Sequence, residues 1–395
     1  MKMSIENSQR GFSLLEMLIA ASIGVGAILA MTSMFKSAMS TTFTVTQRAE
    51  VQQNMRAGIE LMTKDLSMAG AGLPSGGLQL ASANGNSNIA CNQAGTCYVP
   101  GGVYPNGNYM TGIVPGFNNG VEAGAGITAA PGATNDSVTS IYCDYNFPLS
   151  NFTFSFPTTT TAAVTVVNAA VTPNNILANG GLSVGDLVLF LVSTPGKGTA
   201  SGTQGTSAQQ TAAVVGEITG IPAGGAVIDF AANDALNFNQ PSTAPNSLAN
   251  AITTIGSTLG VTGVAGTGNI VNACRLYAVT YFLQVPPAGG GMVQTPRLMR
   301  QVNGLNAVPV ADNIINLQFS YDIINSQAGT MNANVANPIA AGLSPALVQK
   351  INMWVMGQNL LSSGKLYQSM YLASSVSARN MSFCNSYSAN TTVCQ

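Results

Sequence analysis

Apolar residues run almost without a break from Phe12 to Phe35, a single charge, Glu16, falls inside the run, and the next charge is Lys36. These 24 residues make a helix of about 36 Å, enough to cross a hydrocarbon core of about 30 Å. An unpaired carboxylate inside such a helix costs roughly 2.5 to 3.5 kcal/mol, so Glu16 needs an interface, a proton or a cation. Past Phe35 the pattern turns amphipathic, and Val51, Met55, Ile59, Met62, Leu66 and Ala69 recur at spacings of three and four as one apolar stripe. Arg56 with Glu60, and Glu60 with Lys64, face away from it at i,i+4. The helix is expected to stop between Gly70 and Pro74. Gly24 and Gly26, each costing about 1 kcal/mol in a helix, predict a locally melted stretch.

Residues 70–135, rich in Gly, Asn, Ala and Pro, read as a long surface loop. Strand patterns begin after Asp136. Phe152, Phe154 and Phe156 alternate with polar residues, and further strands are predicted at 163–167, 186–192, 213–218, 226–230, 276–285, 317–323 and 351–356. Residues 194–210 and 231–270 look like low-complexity insertions, and 344–350 like one helical turn. Met353, Trp354 and Val355 read as core, with one residue turned to the other face. The fold class is α+β: a long N-terminal transmembrane and amphipathic helix, then a mainly antiparallel β-sheet head domain.

The residues around Glu16 carry a resemblance. Gly11, Phe12, three uncharged residues and Glu16, ahead of an apolar helix and behind Lys2 and Arg10, resemble the type IV prepilin processing site. The resemblance implies cleavage after Gly11 by a membrane prepilin peptidase, N-methylation of Phe12, and a charge pair between Glu16 and the terminal amine of a neighbouring subunit. With the patterns above, it divides the chain into a leader (1–11), a transmembrane helix (12–35), its amphipathic continuation (36–69), a Gly/Asn-rich loop region (70–135) read from composition, and a pilin-like β-rich head with a C-terminal Cys loop (136–395). A Sec signal peptide and a plain anchor are the alternatives. Small residues such as Ala20, Ala21, Ala27 and Ala30 offer a weak signal-peptidase site, but Glu16 interrupts the apolar centre near its start.

A second, more degenerate resemblance is to PilW-type minor pilins. It rests on Met55-Arg56, Glu60 to Met62, Lys64-Asp65-Leu66 and Met68 to Gly70, then Asp136, Val184 to Val188, the 277–285 strand, Arg297 to Arg300, Leu317 to Tyr321 and Arg379-Asn380. It implies a priming or tip-proximal subunit of a type IV pilus, with the major pilin, other minor pilins and the inner-membrane assembly platform as partners. The head would lie in the periplasm before joining a surface fibre. A type II secretion pseudopilin of the minor, J-like kind shares this architecture, and a pilus-tip adhesin is the binding-module alternative.

Composition narrows the remaining choices. Six cysteines, Cys91, Cys97, Cys143, Cys274, Cys384 and Cys394, suit an exported chain and allow 15 disulfide connectivities. Closeness along the chain favours 91 with 97 and 384 with 394, leaving Cys143 and Cys274. With no histidine and no CxxC spacing, a zinc site finds no ligand pattern. The net charge is -1, and without residues 1–11 it becomes 11 bases against 13 acids, or -2. Nothing here is basic enough to suggest nucleic acid, and Tyr142, Tyr145, Phe152, Phe154 and Phe156 lack the basic neighbours of a base-stacking platform.

Residues 66–273 hold seven acids and one base, and 274–395 six bases and two acids, so the two regions have charge to exchange. A sparsely charged surface is the plainer reading. The absence of histidine also removes the commonest general base, and Asp136 with Asp144, or Asp229 with Asp234, read as solvated loop acids. Gly196-Lys197-Gly198-Thr199 lacks the residues of a phosphate loop, and no pair of acids makes a calcium loop. No enzyme activity and no cofactor are expected.

Overall fold

The computed structural model describes residues 11–74, 77–81, 88–89, 109–118, 135–144, 152–166, 181–193, 211–222, 226–258, 273–285, 296–325, 330–360, 367–378 and 380–381. Helix α1 (Leu14–Ser67) runs unbroken for 54 residues. It passes through Gly24 and Gly26 without melting, because two local penalties of about 1 kcal/mol are spread over a long cooperative helix. Until Glu50 its side chains are exposed or half-buried; from Val51 the apolar stripe sinks into the head.

Every pair of described strands in the head is antiparallel. Its spine is β10 (Ala273–Gln284), one edge of which pairs with β4 (Ser137–Asp144). The other edge takes β7 (Leu187–Ser193) near its start and β11 (Arg297–Val302) near its end. β12 (Val308–Asp312) extends β11, β8 (Thr211–Glu217) extends β7, and β3 (Ile113–Gly116) lies outside β4. A second sheet has the order β14 (Thr330–Val335), β13 (Ile314–Asn325), β15 (Val348–Leu360) and β16 (Tyr367–Ser377). Smaller sheets join β1 (Leu78–Gln79) to β2 (Tyr109–Met110), and β5 (Phe152–Thr158) to β6 (Thr161–Val166) and β9 (Val227–Asp229). The sequence-based expectation of an α+β chain, long apolar helix first and antiparallel sheets after, describes this architecture.

The main core lies where α1 meets both large sheets: Met55, Met62 and Leu66 pack among Tyr281, Leu298, Leu317 and Met353. The helix approaches β15 so closely that a Cβ at Gly357 would stand 2.6 Å from Val51 Cγ1 and 3.0 Å from Met55 Sδ. Gly58 is the matching point on the helix, where a Cβ would meet Leu298 Cδ2 at 2.8 Å. A second cluster lies around Ile141, Leu187, Leu189 and Leu276. The third gathers Phe154 and Phe156 on Phe190, at 5.4 and 5.3 Å between ring centroids. These phenylalanines are therefore core, not a stacking platform.

Three further expectations need correction. Strands β1, β2 and β3 fall inside the segment read as loop (70–135): Ile113-Val114 in β3 pair with the edge of β4, and β1 and β2 pair with each other. Residues 231–258 are no surface insertion: Phe238, Asn239 and Gln240 are buried, and helix α2 (Leu248–Thr258) packs Leu248 on the third cluster. The acids expected in solvated loops are also held: Asp136 accepts from Asn118 N and Phe319 N at 2.9 Å each, and Asp234 from Phe238 N at 2.6 Å and Asn239 N at 3.0 Å. Residues 194–210 lie outside the described residues.

Candidate functional site

The site suggested by the sequence opens the helix. Ser13 caps it in extended conformation (φ -73°, ψ 146°), its Oγ accepting from Glu16 N at 3.2 Å. Ser-x-x-Glu is one half of a capping box, and the acid in the first turn complements the positive end of the helix dipole. Phe12 is 85% exposed, and Glu16 meets no side-chain partner among the described residues. Gly11 needs no space: a Cβ there would meet nothing within 4 Å, and its backbone is not left-handed. Neither packing nor φ accounts for this glycine.

At the other end α1 is clamped to the head through Asp65, which is 4% exposed. Its carboxylate accepts from Tyr281 Oη at 2.6 Å, Arg300 Nε at 2.8 Å and Tyr142 Oη at 3.2 Å. Its carbonyl accepts from Ser140 Oγ at 2.9 Å. Burial raises both phenol pKa values, and hydrogen bonding to and the charge of Asp65 raise them further. Burial works to lower the Arg300 pKa, but the hydrogen bond and charge of Asp65 outweigh it and the net shift is upward. The chain leaving the helix turns at Gly70 (φ 79°) and runs beside β4, Gly70 N donating to Ile141 O and Cys143 N to Ala71 O, each at 2.8 Å. A disulfide joins Cys143 to Cys274 with Cα atoms 5.8 Å apart, and Arg275 beside it pairs with Asp144 at 2.5 Å.

Asp65 lies three residues after Met62 and four before Ala69, on the apolar stripe. A carboxylate on a buried face demands a partner by the reasoning applied to Glu16, so the pattern held this signal. The Ser13 cap was legible too, as a Ser three residues before a Glu at the head of an apolar run.

Comparison with known families bears on the helix start. Residues 7–31 match the prokaryotic N-terminal methylation motif. This motif supports a type IV pilin-like protein, pilin or pseudopilin, and with it the head and helix are consistent with a pilin-like fold. The motif family is structural rather than catalytic. The motif and the apolar helix together suggest membrane anchoring, processing by prepilin peptidase and assembly with pilus components. No curated protein and no solved structure matches the chain.

Of the residues expected to matter, Gly11, Phe12 and Glu16 lie within one turn of the helix start, and all three are inside the motif. Cys143 and Cys274 are joined. Cys91, Cys97, Cys384 and Cys394 lie outside the described residues, as do the first ten residues of the leader, with Lys2 and Arg10.

Proposed function

We propose that this chain is a minor pilin of a type IV pilus, a priming or tip-proximal subunit that acts after prepilin peptidase has cut between Gly11 and Phe12 and methylated Phe12. The observation that carries the reading is the methylation motif over residues 7–31, with its glutamate four residues after the new terminus. Gly11 supports it: a glycine required by neither space nor backbone is suited to recognition by another protein. The bare stretch of α1 supports assembly, since exposed Leu14, Ile23, Ile28 and Phe35 need lipid or neighbouring helices around them. In a fibre, Glu16 of one subunit neutralises the terminal amine of the next and sets its axial register. Before extraction the helix holds the chain in the inner membrane with the head in the periplasm.

A large, irregular head fits a place at or near the tip better than one repeated along a shaft. Its partners in this reading are the major pilin, other minor pilins and the inner-membrane platform. A type II secretion pseudopilin carries the same motif and is the alternative.

The test is the mass of the N-terminal peptide from cells holding their native peptidase, joined to a search for the chain in sheared surface fibres. N-methylated Phe12 and presence in fibres beside the major pilin are expected. A chain starting at Met1, or cut beyond Ala20, overturns the reading; a processed chain absent from fibres moves it to the pseudopilin.

A further inference from the structure

The sequence singled out a Met-Trp-Val run of which one member faces away from the core, and that member is Trp354, the chain's only tryptophan. On the face of the β14-β13-β15-β16 sheet turned away from α1, Trp354 stacks against Tyr371, with ring centroids 6.2 Å apart and planes 26° from parallel. Tyr371 is 73% exposed. Beside this pair the sheet carries small side chains: Ala373 stands opposite Trp354 and Ser375 opposite Asn352, which leaves a groove of about 710 Å³. Phe117, 40% exposed, lines another part of it.

The polar lining is almost wholly amide and hydroxyl: Gln318, Asn118, Asn334, Asn352, Ser320 and Ser375. Two of these amides, Asn352 and Asn334, are fixed in advance. Asn352 Nδ2 donates to Asp322 Oδ1 and to Asn334 Oδ1, at 3.1 Å each, and Asn334 N donates to Asp322 Oδ1 at 2.9 Å. Lys350 Nζ stands 3.7 Å from Asp322 and balances that charge. The one carboxylate among the described lining residues, Asp136, has both oxygens engaged by backbone amides. No lysine or arginine is among them.

We propose that this groove binds a neutral oligosaccharide. A sugar ring has an apolar C–H face, which the Trp354 ring, backed by Tyr371 outside the groove, suits, and a rim of hydroxyls that both donate and accept, which amides and serines answer in both senses. Phosphate, sulfate or sialic acid would need a cation that the lining lacks. The dry core of a protein interface would want apolar residues where this groove has amides. Prior ordering of the amides lowers the entropy lost on binding. This goes beyond the assembly reading and does not depend on Gly11 being cut.

The test takes the full chain in detergent to an array of neutral (glucose-, galactose-, mannose- and N-acetylglucosamine-ended), sialylated and sulphated oligosaccharides, then titrates the strongest neutral binder while following tryptophan emission. Expected are binding confined to uncharged glycans, a saturable change in Trp354 emission, and at least a tenfold loss of affinity in both Ser375→Arg and Asn352→Ala. Position 375 is exposed, so Ser375→Arg blocks the groove without disturbing the core, and its unfolding temperature should equal the parent's. The proposal is overturned if no neutral glycan changes the emission at millimolar concentration, if Ser375→Arg binds as the parent does, or if acidic glycans bind better. Self-association of the full chain that Ser375→Arg abolishes would assign the face to a second copy and overturn it equally.

Discussion

Replacing Asp65 with Asn tests how the helix is held. Three donors, Tyr281, Tyr142 and Arg300, converge on the two carboxylate oxygens. Asn offers one oxygen and turns an NH2 toward donors, so at least one buried donor goes unmet, at about 1 to 3 kcal/mol. The Arg300 cation loses its counter-charge as well, and breaking a buried pair costs about 3 to 5 kcal/mol. The Arg300 side chain is 24% exposed, so water recovers part of this and the low end applies. Because these costs overlap, the net loss is about 3 kcal/mol. At about 2 °C per kcal/mol for a large domain, the unfolding temperature of the full chain in detergent, followed by circular dichroism, should fall by about 6 °C. A double-mutant cycle with Arg300→Gln should return a coupling of at least about 1 kcal/mol. A fall of less than about 1 °C, or additive losses in the cycle, would show that packing of the apolar stripe holds the helix and the clamp adds nothing.

Glu16→Ala should leave membrane insertion and cleavage largely intact while fibre incorporation drops, and normal incorporation would sink the charge-pair mechanism. Gly11→Val should block processing, so a mature-sized product on an immunoblot would mean that another protease acts. Glu217, buried near Asp234, has its pKa pushed up to about 7, by burial first and by the Asp234 charge, against the amides of Leu236 and Ala235 that donate to it. The native state therefore binds the extra proton, so stability is greatest below about pH 4.5, falls as pH rises and levels off above about 7. Glu217→Gln should flatten that slope in thermal melts across the range, leaving a remainder from Asp136 and Asp186, which burial also raises; an unchanged slope would refute the assignment. Replacing Cys143 and Cys274 together with Ser opens a loop of 131 residues, and should lower the denaturation free energy by about 2 to 4 kcal/mol; a shift under about 0.5 kcal/mol in urea would show the β4–β10 pairing alone closes the loop.

What the sequence disclosed depended on how each element is buried. The stripe from Val51 to Ala69 was legible because one helix face packs on two sheets. β10, β13 and β15 were legible because long alternating strands have one apolar face. β16 was not: Ser369, Tyr371, Ala373, Ser375 and Ser377 face outward, and the inner side holds Met370, Leu372 and Ser374 only half-buried. β12 contains Pro309, which suits its edge position and breaks the strand pattern. Segment 231–240 was hidden for another reason, since side-chain acceptors such as Asp234 and Glu217 organise it through backbone amides, and such bonds leave no periodicity. At the helix start the residues were read directly, because a charge in an apolar run is visible in any conformation. In the assembly proposed above, the partner of that charge belongs to another molecule, which one chain does not contain.

The exit of α1 decides how the molecule responds to being pulled. Tension applied along the helix reaches Asp65 and then Gly70 and Ala71, and passes into β4 and across to β10, where the Cys143–Cys274 crosslink ties the two strands covalently. The small β5-β6-β9 sheet and α2 lie off this load path. A stretched molecule can thus keep those parts at rest while the anchor carries the strain.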